Sequence, residues 1–255
     1  MNRDEIAIEF RDVSFALSSG RTLLAHLNLQ VDRGETLVLL GRSGSGKTTT
    51  MRLINRLIDP SSGEVIVNGK PTVDWDPIQL RRRIGYVIQE IGLFPHLTIE
   101  QNIGVVPRLE GWEPERIRLR ARQLLTLIGL DADRFAGRYP RELSGGQRQR
   151  IGVARALAAD PPVILLDEPF GALDPITRRD IQQEFKNLQQ ELGKTMVFVT
   201  HDIAEAFVLG NRIGLLKDGE MVLLGAPADL LESDHPEARA FAGCFNDRQA
   251  TRSPA

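Results

Sequence analysis

Two hydrophobic rhythms divide this 255-residue chain. Residues 37–40, 163–166, 196–199 and 213–216 are short, nearly unbroken apolar runs, and each predicts a strand buried on both faces. Elsewhere the spacing turns helical. Ile117, Ala121, Leu124, Leu125 and Ile128 form one stripe, and Ile181, Phe185, Leu188 and Leu192 form another. Asp174 and Pro175 suit the N-cap and first position of the second helix. Residues 6–13 and 23–31 predict two early strands, separated from the run at 37 by an Asp32-Arg33-Gly34 turn. Residues 59–63 are a dense turn signal, 64–67 run into Asn68-Gly69, and 85–88 make a short strand ending at Gln89. Asp218-Gly219 joins two late strands as a hairpin. Strands alternating with helices predict a mainly parallel α/β core. The helical texture after Gln89 predicts an inserted helical region, and the polar stretch 247–255 is expected to fray.

The run at 37–40 breaks into Gly41, Arg42, Ser43, Gly44, Ser45, Gly46, Lys47, Thr48 and Thr49. Two glycines, a lysine and a hydroxyl residue at this spacing, between a buried strand and a helix, make a phosphate-binding loop. Backbone N–H groups can wrap phosphate oxygens only where side chains do not block the approach. The helix opening at Lys47 adds the positive end of its dipole. Lys47 is expected to reach the β- and γ-phosphates of a nucleoside triphosphate and Thr48 to offer its hydroxyl to magnesium.

Composition narrows the setting. A net charge of −2 with 26% charged residues lacks the basic excess of a dedicated nucleic-acid binder. Arg116, Arg118, Arg120 and Arg122 interleave with one apolar stripe and read as a solvated helix flank, so no nucleic-acid partner is expected. Cys244 is the sole cysteine, which suits a reducing compartment. No run approaches the length needed to span a bilayer, and the first residues lack an apolar signal core. A cytoplasmic protein is expected, unless a partner holds it at a membrane.

Two further segments add chemistry. Residues 163–166 run directly into Asp167 and Glu168, and two carboxylates after a buried strand are costly unless a cation or a reaction uses them. Asp167 is placed to hold magnesium and Glu168 to orient or deprotonate the attacking water. Ser144, Gly145, Gly146 and Gln147 open a helix and form a second anion-binding surface. One γ-phosphate hardly needs two such surfaces in one chain. The economical arrangement is a head-to-tail dimer, each nucleotide lying between one copy's phosphate loop and the other's serine-glycine turn. His201 follows the run at 197–200, at a strand's carboxyl end, where α/β folds bind ligands.

GRSGSGKTT, LSGGQRQR, VILLDEP, the turn at 171–174 and His201 together resemble the ATP-binding cassette family in order and spacing, over essentially the whole chain. The resemblance implies a P-loop NTPase core of mainly parallel sheet, with an N-terminal antiparallel β region and an inserted helical subdomain. The expected layout is one ATPase domain over 1–246, with its core at about 1–88 and 160–246 and the helical subdomain at about 89–159. Implied ligands are ATP as substrate and Mg2+. The resemblance further implies that Gln89 touches magnesium or the attacking water and reports nucleotide state to a transmembrane partner. His201 would contact the γ-phosphate, Ser144, Gly145, Gly146 and Gln147 would grip the opposite chain's nucleotide, and Asp174 would couple the two sites. The family often stacks adenine on an aromatic residue shortly after the first strand; here the aligned position is Leu17.

Tyr139-Pro140-Arg141-Glu142 before the serine-glycine turn resembles importer cassettes, and residues 84–112 resemble importers of quaternary amines such as glycine betaine, carnitine and choline. This implies a second or paired cassette, permease subunits, an indirectly acting substrate-binding protein, and a place at the cytoplasmic face of the membrane. Ile91, Leu93, Phe94 and Leu97 suit contact with a permease helix, or equally the core. Some osmoprotectant cassettes add a regulatory domain pair after the ATPase; regulation by that route is not expected here. The competing readings are cassettes of amino-acid, methionine or lipid-trafficking importers, and a soluble ATPase. No sustained heptads separate Lys47 from Leu143, which speaks against a chromosome-maintenance ATPase.

Overall fold

A computed structural model describes residues 5–89, 92–171 and 173–250, with the side chains of 246–250 outside the description. The chain forms two compact units, one of Met1–Leu80 with Lys194–Ala255 and the other of Arg81–Gly193.

The first unit opens with β1 (Ile6–Ala16), β2 (Thr22–Asp32) and β3 (Thr36–Leu40), then α1 (Lys47–Ile54), β4 (Ser62–Val67), β5 (Lys70–Pro71) and α2 (Pro77–Arg82). The chain then builds the second unit from β6 (Ile84–Val87), α3 (Ile99–Ile103), α4 (Val105–Leu109), α5 (Pro114–Leu127), α6 (Ala132–Phe135), α7 (Gly145–Leu157), β7 (Val163–Asp167) and α8 (Pro175–Leu192). It returns to the first through β8 (Thr195–Thr200), α9 (Ile203–Leu209), β9 (Arg212–Lys217), β10 (Glu220–Gly225), α10 (Pro227–Glu232) and α11 (Pro236–Ala250).

In the first unit, β2-β1-β4-β5 form an antiparallel sheet. A second set places β3 between β8 and β9, parallel to both, with β10 antiparallel to β9. Every residue of β3 and β8 is buried, as their unbroken apolar runs require of strands covered on both faces. The two hairpin turns form where expected. Asn68 (φ 50°) with Gly69 (φ 77°), and Asp218 (φ 50°) with Gly219 (φ 87°), supply the left-handed pairs that tight hairpins need.

In the second unit, β6 and β7 pair in parallel and β7 is wholly buried. The α5 stripe is buried at Ala121, Leu124, Leu125 and Ile128, and the α8 stripe at Ile181, Phe185 and Leu188. The four interleaved arginines are engaged within the chain: Arg116 lies over the Trp112 ring, Arg118 pairs with Glu115, Arg122 with Asp133, and Arg120 donates to the carbonyls of Leu157 and Ala158.

β6, β7 and α8 group with the helices of the second unit. Helix α11 runs from Pro236 to Ala250. The last five residues of the tail, together with Ile91 and Ala172, lie outside the described residues.

Candidate functional site

The phosphate loop leaves the carboxyl end of β3. Each glycine there answers a different demand. A Cβ on Gly41 would sit 2.4 Å from the Leu216 carbonyl oxygen and 2.6 Å from Ser45 Oγ, so no side chain fits. Gly44 meets nothing within 4 Å but has φ 82°, a left-handed turn that costs glycine little. Gly46 combines both demands, with φ 105° and only 2.6 Å to Leu24 Cδ2. It is also the N-cap of α1 and carries no side chain to cap the first N–H groups. Lys47 is buried, its Nζ donating to the carbonyls of Gly41 and Arg42, each at 2.8 Å. The Ser45 hydroxyl is buried and has no hydrogen-bond partner within the described residues.

His201 follows β8, and the register joins it to this loop: Leu40 pairs with Thr200 across two parallel strands. The loop and His201 therefore leave the same sheet edge, from adjacent strands, at the end where α/β folds bind ligands. The residues flanking exposed His201 are pinned. Thr200 Oγ1 donates to buried Glu205 at 2.5 Å and accepts from the Asp202 N–H, while Asp202 caps α9 through the Ala204 N–H.

The second unit carries the acids. Asp167 is the buried last residue of β7, and the Tyr86 hydroxyl donates to its Oδ2 at 3.5 Å. Glu168 follows with φ 44°, a left-handed backbone that side-chain-bearing residues rarely adopt and that recurs at functional sites. Gln89 Nε2 reaches Glu168 Oε2 at 3.5 Å, so two of the expected catalytic residues meet.

The serine-glycine turn is more structural than its composition suggests. Ser144 Oγ accepts from the Gln147 N–H while Gln147 Oε1 accepts from the Ser144 N–H, a reciprocal cap on α7. A Cβ on Gly146 would lie 2.9 Å from Thr177 Cγ2 and 3.1 Å from Ile181 Cδ1, so this glycine lets α7 pack against α8. Gly145 would meet only Leu173 Cδ2, at 3.9 Å, and Ser144 is exposed. The open part of the turn is thus Ser144 and Gly145. Asp174 caps α8 as expected, accepting from the N–H groups of Ile176 and Thr177. Hydrogen bonds from Thr177, together with the N–H of Ile176, hold its carboxyl below the usual carboxylate range.

Leu17 lies exposed in the turn between β1 and β2, its N–H donating to the Arg21 carbonyl. Three contributors escaped the sequence reading. Tyr86 was readable in principle, because the register sets it opposite Leu165, on the same strand face as Asp167. Glu205 was not, nor was Glu237 of α11, whose carboxylate accepts from Arg42 Nε of the phosphate loop, since helical acids look like ordinary solvated positions. Hard oxygen donors that suit a cation occur in each unit taken by itself: the Thr48 hydroxyl in the first, and the Asp167 carboxylate and Gln89 amide in the second. Such donors suit magnesium, which binds through one or two carboxylates and keeps water and phosphate oxygens. Among the described residues no cluster of three or more His, Cys, Asp or Glu is gathered to hold a metal.

Residues 24–171 match the ABC transporter family. A choline transport ATP-binding protein of Bacillus subtilis is 54% identical over 230 residues, 90% of this chain and 60% of that protein. An osmoprotectant import ATP-binding protein of Salmonella typhimurium is 52% identical, over 96% of this chain and 64% of the relative. The chain thus spans about three-fifths of the length of these relatives. Among solved structures, a dimeric ATP-binding cassette in a post-hydrolysis state, bound to ADP and phosphate, superposes with a TM-score of 0.77 at 39% identity, covering 86% of this chain and 98% of that one. A phosphate loop on β3, an acid pair after β7 and a capped serine-glycine helix occur here in a chain with these relatives, and the chain belongs to the ABC transporter family.

Proposed function

We propose that this chain is the ATP-hydrolysing subunit of a membrane importer whose cargo is a quaternary amine such as glycine betaine, choline or carnitine. The ATPase reading is carried by one observation: the Gly41–Thr49 loop and His201 emerge side by side from the carboxyl ends of β3 and β8. In this reading, residues 41–49 cradle the phosphates and Lys47 exchanges its carbonyl partners for β- and γ-phosphate oxygens. Thr48, Asp167 and Gln89 would hold Mg2+, which would neutralise charge on the transferring phosphoryl group. Glu168 accepts a proton from the attacking water, Gln89 orients that water, and His201 donates to the γ-phosphate. A second copy, or a paired cassette, supplies Ser144, Gly145, Gly146 and Gln147 to complete each site, and Asp174 couples the two. The dimeric state of the solved cassette supports this part.

The cargo reading is supported by the names of the relatives, which transport choline or import osmoprotectants. A cassette subunit needs permease subunits, and among the described residues no helix is long and apolar enough to cross a membrane. Phe94 is exposed and, with Leu97, Val105 and Leu109, lines an apolar groove of about 260 Å³ in the second unit. We assign this groove to a short permease helix, which would hold the chain at the cytoplasmic face. A substrate-binding protein would act through the permease only. The test is co-purification with a multi-span membrane protein, followed by ATP-driven uptake of glycine betaine in proteoliposomes. Capture of such a partner with uptake supports the proposal. Uptake of amino acids instead would overturn the cargo assignment, and a chain that binds no membrane protein would overturn the importer reading.

A further inference from the structure

The first unit contains a contact across 195 positions of sequence that the nucleotide chemistry above does not use. Arg42 Nε, in the phosphate loop, donates to Glu237 Oε1 in α11 at 2.5 Å. The Glu237 side chain is 8% exposed and that of Arg42 71%. Arg42 is also one of the two residues whose carbonyls hold Lys47 Nζ. The same helix also packs on α9. Phe245 of α11 stacks on Phe207 of α9, centroids 4.6 Å apart, and α9 is the helix that His201 precedes. Helix α11 thereby touches both segments that leave the carboxyl ends of β3 and β8.

We propose that α11 is a strap on the nucleotide site and that Glu237 is a positioning residue for the phosphate loop. An ion pair with one exposed member contributes little to stability, so stability alone does not explain why a carboxylate is buried here. Its geometric effect is larger. Glu237 fixes the side chain of Arg42 from outside the loop, which restrains the backbone of the loop at that residue. A loop held in this shape has less conformational freedom to lose when phosphates enter, and preorganisation of that kind appears as affinity. The inference rests on reading residues 41–49 as the nucleotide loop and adds the element that holds it.

The experiment measures equilibrium binding of a fluorescent ATP analogue, together with KM and kcat, on the full chain carrying Glu237→Gln, Arg42→Gln, or both. Glu237→Gln should weaken binding and raise KM about three- to tenfold, with kcat within about twofold and an unchanged melting temperature. The double variant should be no weaker than the worse single one, because both lose the same ion pair. If Glu237→Gln lowers the melting temperature, Glu237→Asp decides, since it keeps the charge and should bind within about twofold of the parent. Parental affinity in Glu237→Gln, additive losses in the double variant, or an Asp variant as weak as the Gln one would each overturn the proposal. A parent chain that binds no ATP would instead refute the reading of the loop.

Discussion

Glu168 concentrates the catalytic argument in one residue. Its φ of 44° is a conformation that costs a non-glycine residue of order 1–3 kcal/mol and persists only where its surroundings enforce it. Here the wholly buried strand β7 ends at Asp167, directly before it, and the Gln89 amide meets its carboxylate. Replacing Glu168 by Gln keeps the shape and removes the carboxylate that we propose as the base. Turnover should fall by about 10² or more while nucleotide binding survives, as measured by phosphate release and equilibrium binding. Near-normal turnover would remove Glu168 from the role. At this scale the sequence was most legible where backbone geometry demands a residue type, as at Gly41, Gly44 and Gly46. It was least legible where a side chain acts across the fold. Nothing near Glu205 or Glu237 in the chain announces that one pins Thr200 and the other holds Arg42.

Helices α7 and α8 show how one motif serves two purposes. The serine and glutamine of the turn cap α7, and Gly146 admits α8. The two glycines should therefore behave differently. Gly146→Ala forces a methyl group against Thr177 and Ile181 and should cost about 1–3 kcal/mol by overpacking, whereas Gly145→Ala should melt like the parent. Thermal unfolding of both variants checks this; equal losses would contradict it. Asp174 adds a pH signature. Its folded pKa lies below the usual value, so its cap is fully effective above the ordinary carboxylate range and weakens as pH falls through that lowered pKa. Amide exchange at Ile176 and Thr177 should accelerate on acidification in the parent but stay flat in Asp174→Ala, once intrinsic exchange is corrected. The α8 cap, the two apolar stripes and both hairpins were all readable, because capping residues, helical spacing and Asn-Gly or Asp-Gly pairs are local signals. The pairing of β6 with β7 was not, since strand partners are set by long-range register rather than by local pattern.

At the scale of the whole molecule, the site residues are divided. The first unit carries the phosphate loop and His201, and the second carries Gln89, the acid pair, the serine-glycine turn and Asp174. In our proposal, nucleotide contacts come from several separate elements and from two chains. The claim on which the account turns is that one copy grips ATP by its phosphate loop while another closes over it with Ser144 and Gly145. Light scattering on the Glu168→Gln protein, which should retain ATP unhydrolysed, tests this directly. It should be monomeric without nucleotide and dimeric with saturating ATP, and adding Ser144→Arg should return it to a monomer that still binds ATP. A Glu168→Gln protein that stays monomeric while saturated with ATP, or a dimer undisturbed by Ser144→Arg, would contradict it.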